Sequence, residues 1–178
     1  MNRPKKYMKN KLPKRKPLRL KNFDYNTPTA YFITICTHNR KMILSEIVGA
    51  IHESPELKLT NYGEIVDNVI KNVPEHINAS IEKFVVMPNH VHMIVLVGER
   101  AIRESPLRAR TVLSKLIGYV KMCATKAIHK ENDGMVVWQR GYHDRIIRNR
   151  EEYEKIYKYI CDNPTNWQID CFYSDKED

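Results

Sequence analysis

"FVVMPNHVHMIVLVG", residues 84–98, is the most apolar run in the chain, yet His90 and His92 sit in its middle. Its valines and isoleucine read as buried strand. Side chains alternate along a strand, so His90 and His92 project side by side. Val91, Val95 and Val97 turn the other way and are expected to pack on helices. Pro88-Asn89 reads as a tight turn or as a kink in one longer strand. Burying two imidazoles costs free energy unless both are hydrogen-bonded or coordinated. A single histidine in a strand is most often a satisfied core or surface residue. Two on one face are also how a divalent metal takes neutral nitrogen ligands. Such a pair needs a third donor from elsewhere, and room for water or substrate.

Working outward, "AYFITICT" (30–37) is β-branched and aromatic and predicts a strand. "MILSEIV" and "ELKLT" are expected to form an accessory hairpin. "NYGEIVDNVIKNVPEH" predicts a helix capped by Asn61 with Glu64, striped by Ile65, Val66, Val69 and Ile70, and closed by Pro74. "GERAIRESPLRAR" is a polar loop. A long helix comes next over about 110–130, with Leu113, Leu116, Ile117, Val120, Ala124, Ala127 and Ile128 at helical spacing. "GYHDRIIR" (141–148) predicts the last strand. "NREEYEKIYKYICDN" predicts a final helix, opened by Asn149 with Glu152 as a capping box and closed by Pro164.

The order is strand, helix, strand, strand, helix, strand, plus one helix. This is the α+β class: a ferredoxin-like or RRM-like βαββαβ antiparallel sheet with helices on one face and a C-terminal helix bearing tyrosines. The second face is left open, or is covered by the chain beyond the last strand. Many unrelated functions share this fold.

On the final helix, Tyr153, Ile156, Tyr157 and Ile160 fall on one stripe, which predicts that both tyrosines are core. Tyr159 lies roughly 110° from the stripe's centre, with Asn163 one turn on along the same flank. They read either as surface residues or as an edge lying over the histidine face.

The 178 residues suit one domain with a real core, and the net charge is +9. Residues 1–21 hold ten lysines and arginines and no acid, so the rest of the chain is nearly neutral. The expected organisation is a basic, flexible arm over 1–24 and a single domain over 25–178. Such an arm suits a polyanion. It has no amphipathic pattern and no apolar anchor accompanies it, which favours nucleic acid over membrane. Cys36, Cys123, Cys161 and Cys171 are scattered and read as reduced thiols of a cytoplasmic protein. No stretch is long enough for a membrane span.

The segments "AYFITICTHNR", "FVVMPNHVHMIV" and "VWQRGYHDRIIRNREEYEKIYKYICDNPTNW" span most of residues 30–167. In this order they resemble the REP-associated tyrosine transposases, among the single-tyrosine (IS200-like) transposases of the HUH nuclease superfamily. The specific elements are Pro-Asn-His-Val-His, Trp-Gln-Arg, Ile-Ile-Arg-Asn and Tyr-Ile-x-x-Asn-Pro. The resemblance implies that His90 and His92 ligate Mg²⁺ or Mn²⁺, that Asn163 completes the metal site, and that Tyr159 is the nucleophile. Related families place Gln or another polar residue at the position of Asn163. An amide oxygen is a hard ligand, which suits those two ions better than Zn²⁺.

The implied reaction is attack of Tyr159 on a phosphodiester of hairpin-forming single-stranded DNA, typically a repetitive extragenic palindrome. It leaves a 5′-phosphotyrosine and a free 3′-OH, in a prokaryotic, nucleoid-associated protein. Lys14, Arg15, Lys16, Arg108, Arg110, Arg140, Arg145 and Arg148, with Lys115, are candidate phosphate contacts. Trp138 and Tyr142 are candidates for base stacking, and equally for the core. His143 and Asp144 are near the site in strand order, with solvent or DNA contact as the simpler reading. Relatives include homodimers that supply the tyrosine helix in trans and monomers that act in cis, and the chain does not choose between them. Two other readings remain: a DNA- or RNA-binding module on this fold without catalysis, and a metal-dependent hydrolase in which Tyr159 is incidental.

Overall fold

In the computed structural model, residues 29–49, 55–98 and 111–173 are described. The arm over 1–24, with Lys14, Arg15 and Lys16, lies outside the described residues, as do Arg108 and Arg110. Among the described residues, six strands and three α-helices succeed one another. They are β1 (Ala30–Cys36), β2 (Ser45–Val48), β3 (Glu56–Leu59), α1 (Asn61–Lys71), β4 (Ala79–Val86), β5 (His90–Val97), α2 (Val112–Ile128), β6 (His143–Ile147) and α3 (Arg150–Asp162). A short 3₁₀ turn lies beyond α3 at Trp167–Ile169.

The main sheet has the order β4-β5-β1-β6, antiparallel throughout. This is the expected βαββαβ sheet. β2 and β3 form the separate accessory hairpin. Pro88-Asn89 proves to be a turn rather than a kink. Met87 N–H donates to His90 O at 2.8 Å across the hairpin, and the chain reverses at the Pro88-Asn89 pair between them.

Alternation divides the sheet into two cores. Tyr31, Ile33 and Ile35 of β1 join Val91, Met93, Val95 and Val97 of β5 against Val66 and Ile70 of α1 and Leu113, Leu116, Ile117, Val120 and Ala124 of α2. On the opposite face Val85, Met87, Ile94 and Ile147 pack with Ile156 and Ile160 of α3 and with Trp167. The second face is therefore covered, and α3 is the cover. Each such buried isoleucine contributes about 1.5–3 kcal/mol, which anchors α3 across the sheet.

Three local readings change. The cap of α1 is Thr60, not Asn61: its Oγ1 accepts from Gly63 N–H at 3.1 Å. The reason is a close approach. Leu44 O accepts from Thr60 N–H at 3.0 Å, and a Cβ on Gly63 would fall 1.9 Å from that oxygen. Second, α2 is shorter than expected, starting after Thr111, whose side chain accepts from Ser114 N–H. Third, Tyr157 is 40% exposed rather than core. It stacks on Tyr153, and the Lys83 ammonium lies 5.2 Å from its ring centroid. Lys83 belongs to β4, the sheet's edge strand, so Tyr157 projects past the edge while Ile156 and Ile160 take the interior.

The opening of α3 is as expected, with one shift. Asn149 Oδ1 accepts from Glu152 N–H at 2.8 Å, while the Glu152 carboxylate reaches back to Arg148 N–H, one residue before the cap. Among the described residues, no helix is long and apolar enough to cross a membrane.

Candidate active site

His90 and His92 open β5 and face α3, not α1 and α2. Both are essentially fully buried, at 0% and 1% exposure. Their ring centroids are 4.3 Å apart. Each ring is held by its Nδ1. His90 Nδ1 pairs with Asn89 Oδ1 at 2.9 Å, and His92 Nδ1 with Thr34 Oγ1 at 2.8 Å. Thr34 is opposite His92 in the β1–β5 register, so the cross-strand pair sets this contact.

α3 brings Tyr159 and Asn163 to the same place. The Tyr159 hydroxyl lies 3.2 Å from His92 Nε2 and donates to Asp170 Oδ2 at 2.8 Å. Asn163 is 1% exposed, and its Nδ2 donates to the same Asp170 oxygen at 2.7 Å. The other Asp170 oxygen accepts from Phe172 N–H at 2.7 Å. Phe172, 4.6 Å from His90, and Phe32, 5.0 Å from His92, wall the cluster by ring centroids.

Two buried acceptors in this cluster have no partner among the described residues: His90 Nε2 and Asn163 Oδ1. Orphaned buried polar atoms are costly, and they mark a place where something else belongs. One ligand atom from each of His90, His92 and Asp170 lies within 4.8 Å of the others. Two imidazole nitrogens, a carboxylate and an amide oxygen are a donor set that fits a divalent cation.

The electrostatics agree. Burial pushes the His90 imidazole down from 6.5 to about 4, against the pull of Asp170. Burial, then the neighbouring His90, pushes His92 down to about 3. Both rings are thus neutral at physiological pH, the form in which an imidazole nitrogen can take a cation. Burial would raise the Asp170 carboxyl, but the Phe172 amide and the Asn163 and Tyr159 side chains hold it below the usual range. Burial and the Asp170 hydrogen bond raise the Tyr159 phenol well above 10.

Asp170 was not a candidate in the sequence. It lies beyond the Asn-Pro that closes α3, in no spacing relation to the histidines, and only the 3₁₀ turn at Trp167–Ile169 returns it to them. Arg40 was missed as well. It lies over the Phe172 ring at 5.2 Å, and its charge acts on His90. Of the predicted phosphate contacts, Arg145 pairs with Glu152, while Arg140 and Arg148 are exposed. His143 sits opposite Thr34 in the β1–β6 register and so shares the histidine face, one strand further out and exposed. Asp144 belongs to the other face. Trp138 and Tyr142 are half-buried and pack against the α1–α2 core, and Tyr142 shares a hydrogen bond with Ser114.

The family model described as "Transposase IS200 like" matches residues 27–163, from just before β1 to Asn163. The chain belongs to the IS200-like transposase family. An uncharacterized protein of Haemophilus influenzae is 32% identical over 174 residues, covering 90% of this chain and 94% of that one. A REP-associated tyrosine transposase, solved bound to a REP hairpin, superposes with a TM-score of 0.55 at 21% identity. That match covers 79% of this chain and 68% of the solved one, and it carries the fold alone. The family match takes in His90, His92, Tyr159 and Asn163, and ends before Asp170.

Proposed function

We propose that this transposase-family protein cleaves and rejoins hairpin-forming single-stranded DNA through a 5′-phosphotyrosine at Tyr159. The observation that carries the reading is the placement of one phenol, 3.2 Å from His92 Nε2, beside two orphaned acceptors and a carboxylate. Tyr153 and Tyr157 of the same helix instead stack on one another away from the histidines.

His90, His92 and Asn163 would hold the cation, Mg²⁺ or Mn²⁺, with Asp170 as a fourth donor. When bound, it would polarise the scissile phosphate and neutralise charge developing on it. The chain's own groups do the rest. The Tyr159 proton passes to the Asp170 carboxylate it already contacts. The phenolate oxygen bonds to phosphorus, the P–O3′ bond breaks, and the 3′-oxygen takes up the proton that Asp170 accepted, leaving as a free 3′-OH and restoring the carboxylate. Attack by the 3′-OH of another strand reverses the step and releases Tyr159, so the phosphodiester bond count is unchanged. Phe32 meets the Tyr159 ring edge-on, with centroids 6.0 Å apart, and Phe172 lies beside His92, so the two rings fix the orientation of the phenol's surroundings.

The partner is DNA with a hairpin stem, by likeness to the solved relative bound to such a hairpin. Arg40, Arg140, Arg145, Arg148 and the basic arm contact phosphates, and the arm joins a single catalytic domain over 25–178. The test is a labelled hairpin oligonucleotide with Mn²⁺ on a denaturing gel. Wild type yields a shorter labelled strand and Tyr159→Phe does not. Binding without cleavage in the wild type would favour the non-catalytic binding module.

A further inference from the structure

His90 and His92 are held by different kinds of partner, and the difference has consequences. Asn89 is fully buried. Its Nδ2 donates to Phe172 O at 2.9 Å, and a carbonyl can only accept. The other amide atom, Oδ1, therefore faces His90 Nδ1 and can only accept. This fixes His90 as the Nδ1–H tautomer, with its Nε2 lone pair free in the site.

His92 is different. The Tyr159 hydroxyl has one proton, and it goes to the Asp170 carboxylate. The 3.2 Å contact between Tyr159 and His92 then requires Nε2–H to donate to the phenol oxygen. His92 Nδ1 is left as the acceptor, and Thr34 Oγ1–H must donate to it at 2.8 Å. In this arrangement the Nε2 lone pair that a cation needs does not exist. A hydroxyl, unlike an amide oxygen, can reverse its role. If Thr34 accepts, His92 carries its proton on Nδ1 and presents Nε2 to the site.

We infer that Asn89 and Thr34 are positioning residues with unequal tasks. Asn89 presets His90 for a cation, and Thr34 permits His92 to change tautomer when one arrives. That change releases Tyr159 from His92, with no net proton lost from the ring. The inference rests on the reading of His90 and His92 as cation ligands.

The test uses the full chain labelled with ¹⁵N-histidine. Long-range ¹H–¹⁵N spectra of the metal-free protein should show His90 as Nδ1–H and His92 as Nε2–H. Saturating Mg²⁺ should convert His92 alone to Nδ1–H. Mn²⁺ affinity, read from the EPR signal of the free ion, should fall about 10- to 100-fold in Thr34→Val and stay within about threefold in Thr34→Ser. Thr34→Ser and the wild-type spectra keep the test decisive should Thr34→Val fail to fold. His92 found as Nδ1–H without metal, or Thr34→Val binding Mn²⁺ like wild type, would overturn the inference. Wild-type protein that binds no Mn²⁺ would instead overturn the cation site itself.

Discussion

Tyr159 and Asp170 are locked together: the phenol donates to the carboxylate at 2.8 Å, with Asn163 bonded to the same oxygen. The bond has two sides. It aligns a proton acceptor with the proposed nucleophile, and it stabilises the protonated phenol. Asp170→Asn removes the charge and should bring the Tyr159 pKa down toward 10. It should not reach 10, because burial is the larger cause of the rise. NMR of ¹³Cζ-tyrosine in the metal-free protein reads this directly. An unchanged Tyr159 titration would mean that the carboxylate does not control the phenol.

The buried histidines make the metal-free protein sensitive to acid. In the folded state they resist protonation to about 4 and about 3, while unfolded histidine titrates near 6.5. The unfolded chain therefore binds more protons once the pH drops below 6.5. Stability is full above 6.5 and is lost as the pH falls toward 4, by on the order of 3 kcal/mol for His90. Urea unfolding at a series of pH values should show this loss, and His90→Gln should reduce it. A flat profile between 6.5 and 4 would contradict the burial argument.

Much of this site was legible because strand and helix periods are geometric. Alternation alone put His90 and His92 on one face, and helical phase separated Tyr159 and Asn163 from Ile156 and Ile160. Phase did not foresee that Tyr157 would overhang β4, because the stripe says which way a side chain points but not where the sheet ends. Asp170 and Arg40 were not legible. They reach the site through a 3₁₀ turn after α3 and a second after β1, and such returns leave no periodic trace. Thr60 displaced Asn61 as a cap for a similar reason: the deciding contact is Leu44, across the accessory hairpin.

That contact gives a test of the fold. A methyl at position 63 would meet Leu44 O at 1.9 Å, and backbone cannot yield as a side-chain tip can. Gly63→Ala should destabilise by about 2 kcal/mol or more, despite the better helix propensity of alanine. Thermal melts of the two proteins decide it, and an equal or higher Tm would show that α1 can move away without cost.

On the DNA side, Arg145 is held by Glu152 on the exposed edge of β6. If it contacts phosphate, Arg145→Ala should weaken hairpin binding for all sequences alike and lower the slope of log K against log salt by about 1. Titrations at four salt concentrations suffice. A change confined to one hairpin sequence would assign Arg145 to base reading instead.

The central claim is a covalent bond between DNA and one phenol. Mass spectrometry of tryptic peptides after incubation with a hairpin oligonucleotide and Mn²⁺ measures it most directly. The expected result is a nucleotide phosphate on the peptide that contains Tyr159, attached at that residue and absent from Tyr159→Phe. Hairpin cleaved with no modified peptide, or a modification on Tyr153 or Tyr157, would contradict it.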